Sequence, residues 1–409
     1  MRAKFLGCLS IFLLICFFAA SVNAAIYYVD QNHPLASDNN PGTEDLPWKT
    51  INHAAEVLQA GDTVLIRAGN YIVIGTGDYE KPALTPSNSG TADSPIIFKA
   101  YPGENVIISG IGTGPVIGSN GKDYIVWDGF TVYEGEVASG KSVVMIFQGN
   151  GCIIQNCKIV NKFMEEGSLH SGIRLNGAEN IIVRNCIVHG QPGDTCTVGF
   201  VSYWCKNVTI ENCEFYNYNH GIHVKGDNYA FTIRKNIIHN CISNGILLLE
   251  RQTIREDGYH PLRTNWYVGP DVYTHIYQNI LYNITSGNGV KCYSDDDQPY
   301  QDWKDTWIWN NVFYKTKLGL WVKSAPNLQV WNNIFWVGTE QRGAYGVIHG
   351  VTSSVNVPDN KPTYSDYNCI WPQEDAERWA LDIYSENPKT YFSLSTWQNG
   401  ENLDLHSFI

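Results

Sequence analysis

Charge is scarce in this 409-residue chain. Only 17% of residues are Asp, Glu, Lys or Arg, and 28 basic residues face 40 acidic ones for a net charge of −12. A chain with that balance is a poor partner for nucleic acid, whose phosphates are held mainly by Lys and Arg. The deficit does not forbid a local basic groove, because binding depends on the local field rather than the total. Long apolar runs are also missing beyond residue 20, so no later segment reaches the ~20 residues that a membrane span needs. Metal-type cysteine spacing is absent as well. Cys157, Cys186 and Cys213 each follow an Asn in one column of a repeat. Ile237, Ile280, Val312 and Ile334 are expected to continue that column, which reads as core packing rather than zinc ligation. Cys196 and Cys205 could pair in an oxidising compartment, though spacing alone assigns no connectivity.

What is present begins with a leader. Arg2 and Lys4 precede an apolar run over residues 5–20, and Val22-Asn23-Ala24 offers a small-residue cleavage site. Residues 1–24 are expected to be a signal peptide. Its removal takes away two positive charges, moving the net charge from −12 to −14. The product is expected to be secreted, extracellular or periplasmic, and monomeric. Asn, Gly, Tyr and Trp are abundant, as in β-rich carbohydrate-active proteins.

A repeat organises the chain. Glycine followed by an apolar residue recurs at Gly172, Gly199, Gly221, Gly245, Gly289 and Gly319, at steps of 27, 22, 24, 44 and 30 residues. Asn156, Asn185, Asn212, Asn236, Asn279, Asn311 and Asn333 recur with it and are expected to stack as a turn ladder. Periods of this size mark coils that bury a core only by stacking on one another. Before the repeat, residues 50–58 have helical periodicity and end near Gly61, and residues 62–67, 95–100, 106–110 and 124–130 read as short strands.

The stretch YYVD…NPGTEDLPWKTI…AGDTVLIRAGNY resembles the amino-terminal cap of right-handed parallel β-helix proteins of the pectate-lyase superfamily. The resemblance implies an all-β solenoid plugged by a short helix. We expect one domain over 25–409: a cap at 25–80, coils at 81–370 and a carboxy-terminal segment at 371–409 that stops short of a natural end.

Alternation along the strand after each repeat glycine places Arg174, His223, Lys291 and Trp321 on one outward column. Tyr203, Lys225, Tyr293 and Lys323 fall on the next. Cations interleaved with aromatics suit a glycan bearing carboxylates or sulfates, although an ordinary solvated sheet face has a similar composition. Residues 219–227, NHGIHVKGD, are the densest copy. Cleaving a uronate polymer by β-elimination requires a cation on the carboxylate and a base for the proton beside it. Lys225 is the first candidate base, with Lys291 or His223 as alternatives. Arg251 would neutralise the carboxylate or protonate the leaving oxygen. Two lengthened loops, 250–272 and 294–304, would wall the groove. Asp227, Asp295, Asp296 and Asp297 offer oxygen ligands for Ca²⁺.

The resemblance to family-nine pectate lyases and chondroitinase-B-like enzymes implies Lys or Lys/Arg catalysis with Ca²⁺. The chain departs from them in lacking a complete family-nine calcium cluster and the acidic ligands spaced before the chondroitinase-B-like lysine. It also lacks the Asp-rich signatures of β-helix polygalacturonases. A lyase on an acidic polysaccharide is the leading reading. A glycoside hydrolase on the same fold and a non-catalytic glycan-binding protein remain as alternatives.

Overall fold

The computed structural model describes residues 24–78, 80–134, 142–162, 170–193, 197–226, 228–250, 273–294, 305–323, 328–337 and 364–372. Short pieces at 346–347, 380–381, 390–391, 398–399 and 405–407 complete it. The leader and the loops 251–272 and 295–304 lie outside the described residues.

The chain winds as a right-handed parallel β-helix. A central coil contributes one strand to a 12-stranded sheet and two to a broad 18-stranded sheet, and in two later coils those two run together as the single strands Ile280–Ser294 and Val312–Lys323. One coil shows the path: Glu179–Arg184 on the first sheet, then Ile187–His189 and Val198–Tyr203 on the second. All three pair in parallel with the next coil. Inward residues such as Ile181, Val183, Val188 and Phe200 are fully covered by their counterparts above and below.

The helix is real and short, Ile51–Val57, with Thr50 as its N-cap accepting from the His53 amide. Asp38 in turn accepts from the amides of Lys49 and Thr50 and from the Thr50 hydroxyl, fixing the approach to the helix. Ile51, Ala54 and Ala55 are buried against the first coil, so the helix closes the open end of the core. Gly42, in the NPGT turn, has φ +78°, and a Cβ there would lie 2.7 Å from the Trp48 ring. That ring stacks on Tyr27.

The repeat glycines also form a column set by close approach. A Cβ on Gly172, Gly199, Gly221, Gly245 or Gly289 would lie 2.5–2.7 Å from the carbonyl oxygen of the next repeat glycine. The backbones can approach this closely only without side chains. Gly221→Ala is expected to cost about 1–3 kcal/mol by overpacking, read from chemical denaturation. An unchanged midpoint would contradict the close-approach account.

The expected Asn ladder divides into two columns one residue apart. Asn156, Asn185 and Asn212 occupy left-handed turn positions with φ of 52–56°, shared by Lys235, Gln278, Asn310 and Asn332 in later coils. Asn236, Asn279, Asn311 and Asn333 stand one place later and are buried. They continue the column of Cys157, Cys186 and Cys213: the Cys213 amide donates to Asn236 Oδ1, and each buried Asn amide donates to the next Asn Oδ1. The expectation that Ile237, Ile280, Val312 and Ile334 continue the cysteine column is therefore wrong. Ile237, Ile280 and Ile334 point outward and are 40–45% exposed. The cysteines themselves are buried as expected. Cys205 is a free buried thiol, pushed up to about 12 by burial, so it forms no disulfide here; Cys196 lies outside the described residues.

Two aromatic stacks stiffen the outer faces. His189, Tyr216, His239 and Tyr282 stack from coil to coil at 4.6–5.0 Å on the broad sheet. Tyr277, Trp309 and Trp331 do so on the other sheet. Their faces cover one another, which leaves mainly edges toward solvent.

Candidate active site

The second strand of the central coils on the broad sheet carries the residues predicted to line the groove. Strand register aligns Arg174, Val201, His223, Leu247, Lys291 and Trp321 in one lateral row. Leu249 pairs with Lys225 on one side and with Tyr293 on the other, and Tyr293 pairs with Lys323. The repeat therefore converts residues distant in sequence into neighbours, as the glycine phase predicts. Arg251, Asp227 and Asp295, Asp296 and Asp297 lie outside the described residues, as do the side chains of Tyr293 and Lys323. The acidic and arginine parts of the predicted site thus have no place in the geometry below.

Cations and rings meet directly. The Arg174 guanidinium lies 4.7 Å from the Tyr203 ring centroid, and Lys225 Nζ lies 5.6 Å from the same ring. Lys291 Nζ lies 4.4 Å from the Trp321 ring. These rings hold cations in place, unlike the stacked ladders. Among the described residues neither Arg174 nor Lys225 joins an ion pair. The described carboxylates that form ion pairs, such as Glu211 with Arg234 and Asp128 with Lys99, do so with other cations.

His223 points outward as predicted but is 8% exposed. Burial, then the neighbouring His220 and Lys225, hold its imidazole well below the usual range, so it is neutral at pH 7. Its Nε2 is buried without a hydrogen-bond partner among the described residues.

The residue that the repeat reading passed over is His220, on the same strand. Its ring meets His223 edge-on at 5.5 Å. Burial, then Lys291 and Lys225, push it down to about 4. Asn244 Nδ2 lies 3.1 Å from His220 Nδ1, and Asn244 Oδ1 accepts from Asn288 Nδ2 at 2.8 Å. The asparagine donates, so the neutral ring carries its proton on Nε2. The sequence signal was faint: His220 precedes the repeat glycine, where other coils place Ser171, Val198, Asn244 and Asn288.

Glu134 was also passed over. It is 1% exposed, its carboxyl is pushed up to about 8 by burial, and it sits 4.0 Å from His170 Nδ1. At that burial it cannot touch a sugar.

Among the described residues no group of three or more His, Cys, Asp or Glu converges as a metal site. The Cys157 and Cys186 thiols donate to backbone carbonyls and are held well above the usual thiol range, Cys157 mainly by its hydrogen bond with Cys186 and by burial. They do not fit a thiolate metal centre. No helix among the described residues is long and apolar enough to cross a membrane.

Residues 27–199 match the family model described as the Pel9A-like right-handed beta helix region, and residues 125–297 match that of the periplasmic copper-binding protein NosD. The absence of a converging ligand set among the described residues gives no support to copper binding here. Over 118 residues the chain is 35% identical to the uncharacterized protein YwoF of Bacillus subtilis, covering 27% of this chain and 23% of that one. Over 101 residues it is 35% identical to pectate lyase PEL9 of Emericella nidulans, covering 25% and 22%. The match thus spans less than a quarter of the length of either curated relative. Among solved structures, the lacto-N-biosidase of Eubacterium ramulus aligns over 94% of this chain and 66% of its own, at 14% identity and a TM-score of 0.51. A glycoside hydrolase aligns over 76% and 93%, at 9% identity and 0.52. At those identities the likeness is one of fold. The cap and the coils make this chain a right-handed parallel β-helix, and residues 27–199 are similar to the Pel9A-like region of that class.

Proposed function

We propose that the chain is an exported enzyme that cleaves an acidic, uronate-containing polysaccharide by β-elimination. The observation that carries the reading is that Arg174, Lys225 and Lys291 lie in two adjacent rows on one sheet face of an acidic protein, beside neutral imidazoles. A polyanion finds its counter-charges there. Similarity to a pectate lyase over 101 residues supports the substrate class.

In the proposed step, one cation of the row binds the substrate carboxylate and stabilises the charge that develops beside it. Lys225 removes the proton on the carbon next to that carboxylate. The electrons of the broken C–H bond form the ring double bond, and the glycosidic C–O bond breaks with its electron pair on oxygen. The leaving oxygen then takes a proton. Neutral His220, whose Nδ1 is occupied by Asn244, keeps a donor at Nε2 for a hydroxyl or glycosidic oxygen.

Hydrolysis needs two carboxyl groups facing the scissile bond at separations of ~5–9 Å. No such pair lines the row among the described residues, and Asp295, Asp296 and Asp297 lie outside them. Incubating the purified protein with pectate, alginate and glycosaminoglycans tests the reading. Elimination releases unsaturated uronate that absorbs in the ultraviolet. Reducing ends without that absorbance would replace the lyase by a hydrolase, and binding without cleavage would leave a glycan-binding protein.

A further inference from the structure

We infer that Trp204 is a stacking platform for one pyranose ring, a subsite at the rim of the groove beside Lys225. This rests on the reading of the groove as an acidic-glycan site. It adds a residue that holds the uncharged face of a sugar, where Arg174, Lys225 and Lys291 supply charge.

The turn that ends each groove strand is a column of left-handed residues. Strand register places Gly121, Gln148, Gly177, Trp204 and Gly226 in it on five successive coils, with φ of 67°, 51°, 62°, 52° and 81°. Three of the five are glycine, which adopts positive φ at no steric cost. A tryptophan there is an outlier, because a bulky side chain crowds the backbone at positive φ. The turn itself gives no reason for an indole, and local strain kept at one coil of a groove points to use in binding.

The neighbouring glycines leave the indole uncrowded. Gly177 and Gly226 carry no side chain, and a Cβ built on Gly226 would lie 3.8 Å from Trp204 Nε1. The indole therefore leans toward the coil of Lys225, the residue before Gly226. Its described ring contact is with Tyr203, at 5.6 Å and a 40° tilt, so the two rings are not stacked. Tyr203 and Trp321 are already engaged. Arg174 and Lys225 lie against Tyr203 from the strands on its two sides, and Lys291 lies over the Trp321 ring. Trp204 is half-buried, which leaves part of its ring for a ligand. A pyranose presents C–H bonds on its faces and hydroxyls round its edge, and the C–H bonds suit the electron-rich face of an indole. Cations fix where the carboxylates of a glycan lie. An indole on the adjacent coil fixes the plane of a ring, and so which C–H bond faces Lys225.

Trp204→Gly installs the residue found on both neighbouring coils. Binding is measured by calorimetry in the Lys225→Arg background, which keeps the charge, with octagalacturonate, octamannuronate and a hyaluronan octasaccharide. The tightest of the three is expected to bind the Trp204→Gly variant at least about fivefold more weakly, with a denaturation midpoint no lower than the parent's. Unchanged affinity overturns the platform and leaves the acidic-glycan reading standing. Trp204→Phe keeps an aromatic face and makes the same demand on the backbone. It is expected to bind within about threefold of the parent. A loss as large as that of Trp204→Gly overturns ring stacking, even if Trp204→Gly has also lost stability. The indole N–H resonance of Trp204, identified by its absence from the spectrum of Trp204→Phe, is expected to shift when the octamer is added. A fixed resonance contradicts the contact. If none of the three octamers binds the parent, the acidic-glycan reading falls and the platform with it.

Discussion

Lys225→Ala is expected to remove polysaccharide cleavage while leaving the β-helix folded. A positioned general base contributes about 10²–10⁴ in rate, so the residual rate should fall at least that far. The side chain is half-buried at the groove surface, and its described contact is the 5.6 Å approach to Tyr203. Such a cation–π contact at an accessible site contributes at most about 1 kcal/mol, so the denaturation midpoint and far-ultraviolet circular dichroism should hardly move. Lys225→Arg separates the two roles that a lysine could have. Arginine keeps the positive charge beside Tyr203 and His220 but stays protonated throughout the accessible pH range. It should bind substrate nearly as well as the wild type and still fail to cleave. If Lys225→Arg cleaves at the wild-type rate, Lys225 is a substrate clamp rather than the base, and Lys291 becomes the residue to test. If Lys225→Ala cleaves normally, neither role stands.

The fold was readable in the sequence because each coil obeys the same steric rule. Gly172, Gly199, Gly221, Gly245, Gly289 and Gly319 stack so closely that no side chain fits, and the period in the sequence is that contact repeated. The lateral row of the candidate site followed directly, since equal phase means adjacent position. The turn ladder misled by one residue for an equally physical reason. The paired turn positions read Asn156-Cys157, Asn185-Cys186 and Asn212-Cys213 in early coils, then Lys235-Asn236, Gln278-Asn279, Asn310-Asn311 and Asn332-Asn333. Aligning on asparagine matches an exposed left-handed turn residue in the first set with a buried amide in the second. Both positions favour asparagine, one because it tolerates positive φ and the other because its amide can bond the backbone of the preceding coil and the asparagine of the next, so residue type alone cannot tell them apart. The burial of His223, the Asn244–His220 contact and the upward push on Glu134 arise from packing between coils. No single-coil pattern encodes them.

Asn279→Ala is expected to be among the most damaging single truncations in the described core. Asn279 Oδ1 accepts from both the backbone amide and the side-chain Nδ2 of Asn236, each at 3.0 Å. Its own Nδ2 donates to the Ile233 carbonyl and to Asn311 Oδ1, each at 2.9 Å. All of this is buried, and Asn279 itself is 0% exposed. Removing the amide orphans the Asn236 amide hydrogen outright and strips one partner from each of the other groups. An unsatisfied buried donor or acceptor costs about 1–3 kcal/mol, so a total of about 3–5 kcal/mol is expected once partial rescue by water is allowed for. Each coil touches only its neighbours, so the damage should also be local. Amide exchange at Asn236, whose acceptor is gone, should accelerate far more than exchange in the cap strand Thr63–Ile66. Asn279→Cys offers the internal comparison, because Cys157, Cys186 and Cys213 fill this same column in earlier coils. Cys213 Sγ accepts weakly from the Cys186 amide at 3.4 Å, and its thiol donates to the Val183 carbonyl at 3.7 Å. Cysteine at 279 should therefore recover part of the loss and restore some protection at Asn236. A denaturation midpoint for Asn279→Ala within about 1 kcal/mol of wild type would mean that the column is not the hydrogen-bonded spine of the helix, and equal loss for Ala and Cys would mean that volume rather than hydrogen bonding matters there.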